Sequence, residues 1–280
     1  MAAHCRHLRV WPVILQKMTS RTHVEFGIEA YNCSIRTGCD SSEIHDVLQR
    51  YLFPTLPRSA APPSPDIDLC VTSSCEGFSV CVDHRLVASA ATPQDAALAA
   101  IKSLDDLLVH RIETLRAVHA GAVLIEGRAL LLPGSTHAGK SSLVAELLRR
   151  GASLLSDEYA LIDNQGRTHS YPRPLLLRNG RPQQALVLPE ELDACFAANP
   201  GRIGWILALD YVAGGVWDIH KLSQSEAVML LLRNTPHEMA QSPEMIDFFV
   251  RAVANAVCFE GRRGDAVDAA TRVLELIHSK

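Results

Sequence analysis

Apolar and polar positions alternate with a period of two in some stretches and recur near every 3.6 residues in others, and the two rhythms lay out the chain. Val24–Ala30 reads as a strand. Ser41 and Ser42 precede Ile44–Leu52, with Glu43 in the first turn, which predicts a helix capped by serine. Leu56–Pro65 holds four prolines among small residues and predicts a linker or long loop. Asp66–Cys75 and Gly77–Asp83 predict two strands turning at Glu76-Gly77, and Leu86–Ala90 a third. A helix is predicted to open at Thr92-Pro93, with Thr as N-cap and Pro at the first helical position. Its apolar positions are Ala97, Leu98, Ile101, Leu104, Leu107 and Leu108.

The second half opens with a predicted hairpin, Val118–Glu126 and Arg128–Pro133, turning at Gly127. A glycine-rich loop follows. A helix over Lys140–Arg150 then carries Leu143, Val144, Leu147 and Leu148 on one face, with Gly151 ending it. The next strand is Ser153–Ser156. Strand, loop, helix, strand is the order of an α/β sheet. Farther on, Arg202–Tyr211 and Val216–Leu222 predict strands, and Ser225–Leu232, Glu244–Val257 and Asp265–Ile277 predict helices. The expectation is a smaller α+β domain over residues 1–115 and an α/β domain over residues 116–280.

Composition narrows this picture little. Of the 280 residues, 48% are hydrophobic and 21% charged, as in ordinary globular chains. A formal charge of −4 supplies no global basic field, so nucleic acid is not an expected partner. No stretch has the roughly 18 consecutive apolar residues of a membrane helix, and Met1–Val10 lacks an apolar signal core, so neither a membrane partner nor export is expected and a cytoplasmic place is. The eight cysteines include no C-x-x-C pair and read as reduced thiols.

The chemistry begins at Gly134-Ser135-Thr136-His137-Ala138-Gly139-Lys140-Ser141, which fits the phosphate-binding pattern G-x-x-x-x-G-K-[ST]. The two glycines allow backbone angles that a Cβ forbids, so the loop can wrap a phosphate with its N–H groups at the positive end of a helix. Lys140 suits the β- and γ-phosphate oxygens and Ser141 a magnesium ion; Ser142 completes the nucleotide-binding set. The expected ligands are therefore ATP and Mg²⁺. His137, inside the loop, reads as solvent-facing. Beyond the helix, Leu154-Leu155-Ser156-Asp157-Glu158 places two acids at a predicted strand end, beside the strand that feeds the loop. One acid can hold magnesium while the other accepts a proton from an attacking hydroxyl. Arg173 and Arg178 flank an apolar run and can clamp a phosphate or carboxylate.

Taken together, His119-Ala120-Gly121, the loop, Arg150-Gly151 and Leu155-Ser156-Asp157-Glu158 resemble the C-terminal kinase domain of HPr kinase/phosphorylase over about Ala117–Asp163. Tyr171–Arg178 and, more weakly, Gly261–Ala266 are similar to the smaller HPr-kinase-like serine kinases of bacterial peptide clusters, including lasso-peptide clusters. The resemblance implies a P-loop kinase core with the mixed sheet of the HPr kinase and PEP carboxykinase folds. It also implies ATP-dependent phosphorylation of a serine on a peptide or small protein, such as a ribosomal peptide precursor, and self-association. It places Asp157 and Glu158 on the family's acid pair, with Asp157 favoured as the base and Glu158 as a metal ligand beside Ser141. His119 matches a histidine next to the active site, and Lys140 completes the catalytic set. Two features depart from the family: Glu158 replaces an Asp, and no Glu-x-Arg-Gly segment follows downstream. Other readings stand beside this one: a kinase of a small alcohol such as free serine, or a non-catalytic ATP-binding or partner-binding module. For a GTPase-like switch, Asp163-Asn164-Gln165-Gly166 fits D-x-x-G, but no Asn-Lys pair exists for guanine, and Asn164–Gly166 reads as a hairpin turn.

Overall fold

In the computed structural model, which describes residues 24–135, 138–178, 184–240 and 242–279, the chain forms two compact units that divide between Ile112 and Glu113. The first contains β1 (Val24–Ala30), β2 (Cys33–Cys39), α1 (Ser42–Tyr51), β3 (Arg58–Ser59), β4 (Ile67–Ser74), β5 (Gly77–Val82), β6 (Arg85–Ala90) and α2 (Pro93–Arg111). Its strands form a six-stranded sheet in the order β3-β1-β2-β4-β5-β6. β2 and β4 pair in parallel, with α1 in the crossover between them; β1–β2, β4–β5 and β5–β6 are antiparallel. The Ser41 hydroxyl accepts the Ile44 N–H and the Thr92 hydroxyl the Asp95 N–H, so both helices start at capping residues. The proline-rich stretch is not wholly irregular, because Arg58 and Ser59 pair with the outer edge of β1. The Arg58 guanidinium anchors that edge strand by donating to the carbonyls of Gln49 at 2.7 Å and Leu52 at 2.5 Å.

The second unit contains β7 (Arg116–Ile125), β8 (Arg128–Pro133), α3 (Lys140–Leu148), β9 (Ser153–Ser156), β10 (Tyr159–Ile162), β11 (Arg167–His169), β12 (Leu175–Leu177), β13 (Ala185–Val187), β14 (Gly201–Tyr211), β15 (Asp218–Lys221), α4 (Gln224–Arg233), α5 (His237–Ala240), α6 (Glu244–Val253), β16 (Val257–Arg263) and α7 (Ala266–His278). Its main sheet is mixed and runs β11-β10-β7-β8-β14-β16-β15, with β9 also on β7 and β11 reaching β14. β8, β14 and β16 are parallel; β7, β10, β11 and β15 pair antiparallel. Successive residues of a strand face opposite ways, so an inner strand covered on both sides must be apolar throughout. Accordingly Ala129, Leu131, Ile206 and Ala208 bury with Leu231 of α4 and Phe249 of α6. Leu130, Leu132, Leu207 and Leu209 bury with Leu143 and Leu147 of α3 and Val273 of α7. Ile206 is fully buried in the middle of this arrangement, and Ile206→Ala is expected to cost about 2–5 kcal/mol, read as a lowered denaturant midpoint.

One predicted helix is corrected. The apolar rhythm of Glu244–Val257 suggested helix to its end, but α6 stops at Val253 and Val257 opens β16. The parallel pairing of Trp205–Tyr211 with Val257–Arg263 decides this, and such long-range pairing leaves no trace in local periodicity. Among the described residues, no helix is long and apolar enough to cross a membrane.

Candidate active site

β8 ends at Pro133 and α3 begins at Lys140. Thr136 and His137 lie outside the described residues. Gly139 caps the helix with φ +79°, a region costly for any side chain, and a Cβ there would strike the Arg263 guanidinium. The first N–H groups of α3 have no partners within the helix and make its start an anion-binding end.

Lys140 folds across the loop. Its ammonium donates to the carbonyls of Gly134 at 2.8 Å and Ser135 at 2.9 Å, and meets His119 Nε2 at 3.1 Å. Lys⁺ can only donate, so Nε2 accepts and the ring proton sits on Nδ1, 3.4 Å from Glu158 Oε1. The His119 ring packs edge-on against Tyr159, its cross-strand neighbour, with centroids 5.8 Å apart. Burial and the Lys140 charge hold the His119 pKa below the usual histidine value; Glu158 opposes this and Arg173 adds to it. The imidazole is therefore neutral near pH 7. Burial also lowers the Lys140 pKa, against the pull of Glu158 and Asp157.

The two acids leave a strand end as the sequence suggested, but that strand is not the neighbour of the one that feeds the loop. β9 pairs with β7 rather than with β8, and β10 continues along β7, so β7 separates the acids' strand from the strand that feeds the loop. Ser153–Ile162 is in effect one long partner of β7, broken at Asp157-Glu158. The Ser156 hydroxyl holds the break open by accepting the N–H groups of Glu158 at 3.2 Å and Tyr159 at 3.1 Å. β7 is antiparallel to both β8 and β9, so those two run the same way and the acids still reach the end of the sheet where the loop begins.

Asp157 is 3% exposed. Its Oδ2 accepts the Leu176 N–H at 3.2 Å, whereas Oδ1 is buried without a full hydrogen bond from any described residue. Burial pushes its pKa up from 3.8 to about 6, held back by the Ser141 hydroxyl, Arg173 and the Leu176 N–H and helped by Glu158. Glu158 is about one-third exposed and faces Arg173 Nη1 at 3.4 Å through its second oxygen. Arg173, expected to clamp a phosphate or a carboxylate, is buried and faces this acid, while Arg178 is exposed and lines the cleft. The cleft, of about 220 Å³, is also lined by His119, Lys140, Ser141, Asp157 and Glu158. Among the described residues, no group of three or more His, Cys, Asp or Glu is placed to hold a metal by itself.

Arg263 was not singled out from the sequence. It is 1% exposed and donates to the Gly139 carbonyl at 2.7 Å and the Gly264 carbonyl at 2.9 Å. Its guanidinium also lies over the Tyr211 ring, 5.4 Å from the centroid. It thus grips the loop from behind at the residue with the left-handed angle. The two adjacent arginines in Gly261–Gly264 were visible, but nothing local marked them as the end of an inner strand.

No protein-family model matches the chain, and no curated protein does. Among solved structures, the Hpr(Ser) kinase/phosphatase from Coxiella burnetii is similar at 15% identity and a TM-score of 0.32, over 58% of this chain and 92% of that one.

Proposed function

We propose that the second unit is an ATP- and magnesium-dependent kinase that phosphorylates a serine hydroxyl of a peptide or small protein, ribosomal peptide precursors included. The observation that carries this reading is one cleft lined by Lys140 and Ser141 from the loop, Asp157 and Glu158 from the β9–β10 break, and His119 from β7. The loop N–H groups and the start of α3 would hold the phosphates, and Lys140 would exchange its carbonyl contacts for phosphate oxygens.

The donor set fits magnesium. Asp157 keeps a buried oxygen without a full hydrogen bond, and the Ser141 hydroxyl acts on the same carboxylate. Few protein ligands suffice, because Mg²⁺ keeps waters and takes phosphate oxygens. Bound there, the ion would neutralise charge developing on the transferred group. Ser141 and Asp157 are thus the magnesium residues of this reading, and Glu158 is the base. This exchanges the roles first given to the two acids. Glu158 is the more exposed, and His119 Nδ1 and Arg173 orient it. It accepts the serine proton as the serine oxygen bonds to the γ-phosphorus. The bond from that phosphorus to the bridging oxygen breaks, and ADP leaves.

The pKa of about 6 at Asp157 favours a second assignment, with Asp157 as base. The two separate by pH. If Asp157 holds the ion, magnesium-dependent ATP affinity weakens as pH falls through about 6 and binding releases a proton. If it is the base, the decline appears in the transfer rate at saturating Mg·ATP. Calorimetry in two buffers of different ionisation enthalpy, beside single-turnover rates, reads both.

The reaction itself is tested by incubating the full chain with ATP, magnesium and serine peptides and seeking a phosphate on serine by mass spectrometry. ATP binding with no transfer to any hydroxyl acceptor would leave a nucleotide-binding module instead. Arg263→Met should weaken ATP binding by about tenfold in a fluorescence titration, the worth of roughly one hydrogen bond from a charged group holding the loop. Unchanged affinity would remove Arg263 from the site.

A further inference from the structure

The catalytic cleft is not the only cavity that reaches His119. A second, of about 550 Å³, opens from His119 and the first loop residues, Gly134 and Ser135, and is walled by Tyr159, Arg233 and Glu260. A third, of about 330 Å³, continues from the second through the same Arg233 and Glu260 towards Glu226 and Met229. Together they form a groove that begins at His119 and runs between α4, β15 and β16.

Its position follows from the polarity of the loop. A triphosphate on Lys140 and Ser141 would occupy the first cleft, which Ser141 and Ser142 line. The carbonyls that hold the Lys140 ammonium belong to Gly134 and Ser135, at the opposite end of the loop. An acceptor oxygen must attack in line with the departing bond, and so from a side the nucleotide does not fill. The second cavity opens at that end and shares His119, the partner of Glu158, with the cleft.

The groove also has a chemical character. Leu222, Leu230 and the half-exposed Met229 give it an apolar floor. The side chains of Glu260 and Arg233, where the cavities join, make no hydrogen bond or ion pair with any described residue. Glu226 is held as a carboxylate by the Ser223 N–H and hydroxyl, both at 2.7 Å. The walls thus carry two carboxylates, Glu226 and Glu260, beside Arg233 and the His220 ring, which favours a positive side chain in the occupant.

On the kinase reading above, we propose that this groove binds the acceptor as an extended peptide, its serine at the His119 end and a basic side chain on Glu260. The test is a positional-scanning library of peptides with one central serine, phosphorylated by the full chain with Mg·ATP. The readout is the ratio of lysine- to glutamate-bearing peptides at each position, a quantity independent of how much active enzyme is present. Wild type is expected to prefer lysine by about tenfold at one fixed offset from the serine. Glu260→Gln should flatten that preference and Glu260→Lys reverse it, so either variant suffices if the other fails to fold. An unchanged preference in both overturns the groove and leaves the kinase standing. Phosphorylation of free serine or another small alcohol, but of no peptide, overturns the groove together with the peptide part of the kinase reading.

Discussion

Asp157→Asn is expected to yield a protein that is more stable at pH 7.5 and unable to transfer phosphate. Asp157 is almost wholly buried, and its pKa is about 6 in place of 3.8. An acid whose folded pKa lies above its unfolded one binds its proton more tightly when folded. Its carboxyl therefore costs nothing below about pH 3.8, and stability is lost as pH rises towards 6. Above that the penalty is on the order of 3 kcal/mol. Asparagine removes the charge and still accepts the Leu176 N–H, while Arg173 keeps Glu158 as its partner. The melting temperature should rise by roughly 5–10 °C at pH 7.5, and the gain should vanish near pH 4. Transfer should fall by at least about 100-fold, since a neutral amide neither holds magnesium as a carboxylate does nor takes a proton. A variant less stable than wild type at pH 7.5 would show that the ionised carboxylate is a structural partner, and the functional reading of Asp157 would fail.

Glu158→Gln is expected to slow transfer by about 10²–10⁴-fold while ATP affinity changes only a few-fold. Glutamine occupies nearly the same volume but cannot accept the serine proton. Glu158 also raises the His119 pKa against burial, Lys140 and Arg173, so its loss leaves the imidazole still more firmly neutral. Rapid-quench measurement at saturating Mg·ATP isolates the chemical step from binding. A rate within about threefold of wild type would transfer the base to Asp157.

Much of the local structure was legible because it depends on near neighbours. The caps Ser41 and Thr92, the β7–β8 hairpin and the start of α3 at Gly139-Lys140 are each decided within a few residues, and all lie where the pattern put them. The loop and the acids were legible as residue types. Their arrangement was not, because β9 and β10 share β7 and the break between them is a matter of sheet register. Arg173 read as a clamp for a phosphate or carboxylate, and its burial beside Glu158 was not legible because it depends on how the chain between the two residues packs. Arg263 was hidden in the same way, since β16 pairs with a strand some fifty residues earlier and its apolar content resembles the end of α6. The groove at Glu260 joins α4, β15 and β16, and only the folded sheet brings those segments together.

The central claim, that Lys140, Ser141 and Asp157 hold a magnesium-bound nucleoside triphosphate, is tested most directly by equilibrium titration of ATP into the full chain with and without magnesium. The account predicts saturable binding that tightens by about tenfold or more when magnesium is added, with the magnesium effect lost in Asp157→Asn and binding lost in Lys140→Ala. Equal affinity with and without magnesium, or binding that survives Lys140→Ala unchanged, would contradict it.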